Sequence, residues 1–128
     1  MKIGHIAIWV NDLEKMKEFY IKYFHVSCNT KYENKIKNFS SYFLSFNDGA
    51  KIEIMHRPDI TEPSGSKGLI NGLAHLAISV GSTEKVTEIT ERLRNDNYKI
   101  VSEPRFTGDG FFESVVLDPE LNYIEITE

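Results

Sequence analysis

The chain of 128 residues carries a formal charge of −4, with 41% hydrophobic and 27% charged residues, the composition of one globular domain large enough for a real core. That balance excludes the basic footprint of a nucleic-acid or anionic-membrane binder, and neither a spanning helix of roughly 18 apolar residues nor a signal peptide's apolar region is present. The lone cysteine, Cys28, allows no intrachain disulfide, so a protein of the reducing cytoplasm is expected.

Residues 3–10 alternate as a strand, with Ile6, Ile8 and Val10 on one face and His5, Ala7 and Trp9 on the other. Asn11 or Asp12 then offers an N-cap oxygen to a helix whose Leu13, Met16, Phe19, Tyr20, Tyr23 and Phe24 form one apolar stripe. His25 closes that helix as a structural or exposed residue. A short strand is expected within 26–31, and the Lys-rich stretch 31–37 is expected to be a solvated loop. Residues 41–46 and 50–55 predict a hairpin closed by Asn47-Asp48-Gly49, with Ile52 and Ile54 on the core face and Lys51, Glu53 and Met55 opposite.

Prolines and glycines break the pattern over 56–72, which is expected to be a connector containing His56 as a loop histidine. Gly65-Ser66-Lys67-Gly68 lacks both the spacing and the following helix of a phosphate loop and is assigned to the linker. Residues 74–80 form the next predicted strand. Gly81-Ser82-Thr83 caps a second helix with Val86, Ile89, Thr90 and Leu93 inward, ended by Asn95-Asp96-Asn97. A strand over 98–102, a loop over 103–110, and a hairpin of 112–117 and 122–127 around Asp118-Pro119-Glu120-Leu121 complete the prediction.

The chain thus repeats itself. Gly4-His5-Ile6-Ala7-Ile8 returns as Ala74-His75-Leu76-Ala77-Ile78, and Lys51-Ile52-Glu53-Ile54 returns as Tyr123-Ile124-Glu125-Ile126. The predicted class is α+β: two βαβββ modules of mixed, mainly antiparallel sheets curled around a metal-binding cleft. Residues 1–128 form a single expected domain, with module 1 at about 1–56, a linker over 57–72 and module 2 at about 73–128.

His5, Glu53, His75 and Glu125 all have apolar sequence neighbours, so strand alternation turns all four away from the helix-covered cores. Exposed polar residues on a sheet face are ordinary one at a time; the repeated His…Glu order is not. Pseudo-twofold packing of the modules would gather two imidazoles and two carboxylates, a set that a divalent cation stabilises against carboxylate repulsion. Nitrogen and oxygen ligation without thiolate suits Zn, Ni, Co, Mn or Fe, and positions left open would imply catalysis or ligand binding.

These motifs resemble the vicinal oxygen chelate (VOC) superfamily, which includes glyoxalase I, bleomycin-resistance proteins, fosfomycin-resistance enzymes, methylmalonyl-CoA epimerase and extradiol dioxygenases. The resemblance spans 3–127. It implies that His5, Glu53, His75 and Glu125 are the ligands of one divalent metal ion, Zn, Ni or Co before Mn or Fe, in the pattern of bacterial glyoxalase I. It further implies a metal-dependent lyase or isomerase for a small substrate that chelates through vicinal oxygens, with Glu125 as base and Glu53 as the second catalytic carboxylate. Trp9, Tyr42, Met55, Phe112 and Tyr123 are expected to shape the substrate pocket, with Arg57 and Arg105 holding anions. A dioxygenase, an antibiotic-modifying enzyme and a non-catalytic drug- or metabolite-binding protein are the alternatives. A homodimer is expected, its sites either within a chain or shared between chains.

Three departures stand out. Trp9 occupies the position of an arginine that holds a glutathione carboxylate in glyoxalase I, and Arg57 that of an asparagine. Leu121 replaces the glycine of an Asp-Pro-Asp-Gly-Asn turn, whose backbone role Asn122 is expected to assume.

Overall fold

In the computed structural model, which describes residues 1–61, 67–108 and 110–128, the chain is an α+β fold of two compact units, Met1–Glu62 and Pro63–Glu128. The first unit runs β1 (His5–Trp9), α1 (Leu13–Phe24), β2 (Ser27–Cys28), β3 (Tyr32–Asn34), β4 (Phe39–Ser45) and β5 (Lys51–His56). After a short 3-10 turn at Lys67–Leu69, the second runs β6 (Leu76–Ser79), α2 (Thr83–Asn95), β7 (Ile100–Phe106), β8 (Phe112–Leu117) and β9 (Tyr123–Thr127). Among the described residues no helix is long and apolar enough to cross a membrane.

Each sheet has a parallel pair at one edge. The first is ordered β1-β5-β4-β2, with β3 also paired to β4, and the second β6-β9-β8-β7. The parallel partners are β1 with β5 and β6 with β9; the other pairings are antiparallel. One face of each sheet is covered by its helix. Asp12 caps α1 by accepting from the Lys15 amide at 3.0 Å, and Leu13, Met16, Phe19, Tyr20 and Tyr23 are buried beneath it. Ser82 caps α2 in the same way, and Val86, Ile89, Thr90 and Leu93 are buried there. Burying an aliphatic or aromatic side chain contributes about 1.5–3 kcal/mol, so each stripe outweighs the weak intrinsic helicity of a short segment.

Several local expectations need correcting. The first module holds an extra strand: residues expected as a Lys-rich loop form β3, which closes a hairpin with β4 through residues 35–38. The strand expected over 26–31 shrinks to β2, and β4 begins at Phe39 rather than at 41. Likewise β6 starts after His75, not before it.

In the second module, residues 103–106 continue β7 instead of opening a loop. Pro104 is tolerated because β7 is an edge strand and its ladder is bulged between Ser102 and Arg105. His56 ends β5 and is not a loop residue: its Nδ1 donates to the Val10 carbonyl at 2.9 Å. Within the linker, Gly65 and Ser66 lie outside the described residues, while Lys67 and Gly68 begin the 3-10 turn.

The turn before β9 differs as well. Leu121 itself takes the left-handed backbone, with φ 65°, so Asn122 does not assume the glycine's role. Asn122 instead donates from its amide to Asp118 Oδ1 at 2.9 Å and from Nδ2 to Oδ2 at 2.7 Å. Glu120 adds a third donor to Asp118 at 2.9 Å, while burial pushes the Asp118 carboxyl above its ordinary range.

Candidate functional site

The parallel register explains how each histidine meets its glutamate. Ala7 lies opposite Glu53, and Ala77 opposite Glu125. Side chains of register partners share a face, and each histidine sits two residues before its alanine, on that same face. A methyl group at the partner position leaves the carboxylate room to lean back along the sheet. His5 Nε2 accordingly stands 3.7 Å from Glu53 Oε2, and His75 Nε2 stands 3.5 Å from Glu125 Oε2. The imidazoles are half exposed, at 49% and 47%, whereas the carboxylates are largely covered, at 16% and 19%.

Both separations are too long for an N–H···O hydrogen bond. They approach the separation of two ligands on one ion: bonds of about 2.1 Å at right to tetrahedral angles place donor atoms roughly 3.0–3.4 Å apart. Each pair thus presents an imidazole nitrogen and a carboxylate oxygen slightly farther apart than two ligands of one divalent ion. The structure brings the four predicted ligands together as two pairs, each within its own unit. Among the described residues no group of three or more His, Cys, Asp or Glu meets to hold an ion.

Around the first pair the same face carries Trp9, Met55 and Phe43. Met55 is the register partner of Trp9, and Phe43 that of Glu53. The Phe43 ring meets the His5 imidazole edge-on, with centroids 5.4 Å apart. Phe43 was missed in the sequence, although the alternation of β4 carries the signal: Phe39, Ser41 and Phe43 fall opposite Tyr42 and Leu44. Trp9 is 38% exposed and stands edge-on to Phe39 at 6.1 Å. Arg57 lies over the Trp9 ring, 5.8 Å from its centroid, and forks onto Asp59 with bonds of 2.6 and 2.7 Å. That contact holds the Asp59 carboxyl below its ordinary range.

Around the second pair Tyr123 shares the face of Glu125, two residues along the strand. Its ring rests on Gly68, where an added Cβ would fall 2.5 Å from Tyr123 Cδ2. Val115 is the partner of Glu125, so His75 lacks a counterpart of Phe43 at that register. Arg105 lies on this face opposite Glu113 and approaches it to 3.7 Å, while Nη1 donates to Ser102 Oγ at 2.6 Å. Glu113, another carboxylate of this face, was also missed.

Two predicted pocket residues are corrected. Tyr42 pairs with Ile54, is buried on the helix side, and donates from its hydroxyl to Glu14 on α1 at 2.9 Å. Phe112 shares the face of Ser114, whose Oγ is 2.7 Å from Thr90 Oγ1 of α2, and its ring packs on Phe106. Neither lies on a His–Glu face.

A family model described as "Glyoxalase/Bleomycin resistance protein/Dioxygenase superfamily" matches residues 2–126. An uncharacterized protein of Bacillus subtilis (strain 168), YwkD, is 33% identical over 130 residues, covering 98% of this chain and 95% of its own. Among solved structures, the trypanothione-dependent glyoxalase I of Leishmania major superposes with a TM-score of 0.79 at 22% identity, over 100% of this chain and 86% of that one. Glyoxalase I from Zea mays superposes with a TM-score of 0.78 at 19% identity, over 98% of this chain; the chain spans 44% of the maize protein's length.

Proposed function

The chain belongs to the Glyoxalase/Bleomycin resistance protein/Dioxygenase superfamily, and from that premise we propose that it is a metal-dependent, glyoxalase-like lyase or isomerase. Its substrate would be a small molecule presenting two vicinal oxygens. The observation that carries this proposal is the duplicated pair, with His Nε2 and Glu Oε2 3.7 Å and 3.5 Å apart at equivalent register positions of the two units. His5, Glu53, His75 and Glu125 are the residues proposed to hold one divalent ion, with Zn, Ni or Co suited to this nitrogen and oxygen set and Mn or Fe also compatible.

A bound divalent ion supplies Lewis-acid compensation for charge developing on the substrate's two oxygens. Glu125 takes a proton from one carbon and returns it to the next, for which its carboxylate oxygen must come within hydrogen-bond reach of both. Glu53 has the matching place in the first unit and is the second carboxylate suited to proton transfer. Trp9, Met55 and Tyr123 are proposed to offer apolar surface beside the pairs, and Arg57 and Arg105 to hold an anionic substituent. Self-association into a homodimer is part of the same proposal, since β1 and β6 each leave an outer strand edge unpaired within their own sheet.

The test is the metal content of protein purified without added metal, followed by turnover of methylglyoxal with and without glutathione before and after chelation. One divalent ion per chain is expected, with turnover of the glutathione adduct weak or absent, because Trp9 cannot supply an arginine's contact to the glutathione carboxylate, and with whatever turnover is found lost on chelation. Turnover that survives complete metal removal would overturn the proposal.

A further inference from the structure

A pocket of about 510 Å³ opens in the first unit, lined by Ile36, Lys37, Asn38, Arg57, Pro58 and Asp59. Its volume lies within the range of about 300–1,000 Å³ typical of small-molecule sites. One wall is the tip of the β3–β4 hairpin; the other is the turn that follows β5, in which the Ile60 amide donates to the Arg57 carbonyl at 3.1 Å. Two of the lining side chains are cationic and one is anionic, so the pocket carries a net positive charge in a chain whose total is −4. Ile36 and Pro58 supply apolar surface. Arg57 joins the pocket to the His5–Glu53 face, because its guanidinium lies over the Trp9 ring, and Trp9 leads on to Phe39 and Tyr32 in a row of aromatic contacts.

The Arg57–Asp59 contact has a form that a ligand can copy. Nε reaches Oδ1 at 2.6 Å and Nη2 reaches Oδ2 at 2.7 Å, the parallel fork by which guanidinium recognises any carboxylate. Both partners are open to solvent, with side-chain exposures of 38% and 65%, and such ion pairs are held weakly. Lys37 also lines the pocket and adds a second cationic side chain to receive an anion.

We infer that this pocket binds the carboxylate of a small molecule whose remaining body is flat and apolar, and that Asp59 occupies that carboxylate's place on Arg57 in the free protein. The inference rests on the proposed function in one respect: the apolar body would lie along Trp9 toward the His5–Glu53 face. Asp59 then acts as a built-in competitor, one that an incoming carboxylate exchanges for itself without leaving Arg57 bare.

Trp9 is the chain's single tryptophan and lies under the Arg57 guanidinium, so ligand-dependent fluorescence reports on this pocket through Arg57. The experiment titrates phenylacetate, phenylacetamide and inorganic phosphate into metal-free protein, and repeats the phenylacetate titration with D59N and R57Q. Phenylacetate should bind more tightly than either control. D59N should tighten it by about two- to fivefold, the strength of an exposed ion pair, and R57Q should weaken it by about tenfold or more. Circular dichroism of both variants checks their folding, with indole N–H chemical shifts as a second reading of binding.

Phenylacetamide or phosphate binding as tightly as phenylacetate overturns the inference, as does an affinity unchanged in D59N. Zinc uptake by the same proteins, measured after zinc is added back to the metal-free samples, separates the two proposals. Full metal occupancy without phenylacetate binding removes the pocket and leaves the proposed function standing; phenylacetate binding by a protein that never takes up metal does the reverse.

Discussion

Glu53 Oε2 stands 3.7 Å from His5 Nε2, and the residue opposite Glu53 on β1 is Ala7, which carries only a methyl group. The alanine is therefore a spacer: a longer side chain there would occupy the space through which the carboxylate leans. Replacing Ala7 by Leu should weaken divalent-metal binding by about 10–100-fold, the range measured when groups that orient ligands are changed. His5→Ala should weaken it further. Ala7 is exposed, so its replacement should move stability by no more than about 0.5 kcal/mol. Isothermal titration with zinc, alongside thermal unfolding of the metal-free proteins, checks both. Unchanged zinc affinity in the Ala7→Leu protein would show that the spacing is not set at this position.

Leu121 sits at φ 65° in the turn where the related turn sequence has glycine. A side chain in the left-handed region costs about 1–2 kcal/mol. With Leu121 58% exposed, little burial is lost by removing it. Leu121→Gly should therefore stabilise the protein by about 0.5–1 kcal/mol, the remainder being offset by the greater freedom of glycine in the unfolded chain. Chemical denaturation would read this as a higher midpoint with an unchanged slope; a lower midpoint would show that Leu121 makes a compensating contact.

Thr90 and Ser114 form a wholly buried hydroxyl pair between α2 and β8, 2.7 Å apart; the Thr90 hydroxyl donates to the Val86 carbonyl at 2.6 Å and accepts from Ser114 Oγ. Thr90→Val keeps the shape but leaves Ser114 Oγ without this partner, at an expected cost of about 1–3 kcal/mol. Adding Ser114→Ala should recover part of that loss, because no hydroxyl then remains buried and unsatisfied. Strict additivity of the two substitutions in a double-mutant cycle would contradict the coupling.

Lys17, followed by Tyr42, holds the Glu14 carboxyl down to about 2, from an ordinary value of 4.5. A carboxyl depressed in the folded state contributes stability that is present above 4.5 and is lost as the pH falls from there toward about 2. Glu14 is 49% exposed, so solvent screening limits the contribution to about 1 kcal/mol or less. Glu14→Gln should flatten the acid limb of the stability profile in that window and leave the neutral limb unchanged in slope. An identical acid limb in the variant would place the linkage elsewhere.

Much of this organisation is written locally. The period of two in β1 and β5 placed His5 and Glu53 opposite the core, and the helical period of 13–24 and 83–95 named the buried stripes, because those signals depend only on near neighbours and on the burial of one face. The repeat of His and Glu was legible for the same reason. Tertiary pairing decided the rest. The strand at Tyr32–Asn34 is polar and Lys-flanked, and it exists because β4 supplies its hydrogen-bond partners; β7 runs through Pro104 because an edge strand needs donors on one side only. Register with β5 turned Tyr42 toward α1 and set Phe43 beside Glu53, and the turn after β5 brought Asp59 onto Arg57. Hydrogen bonds and ion pairs between separate segments choose among local conformations of similar energy, and no periodicity within a single segment records that choice.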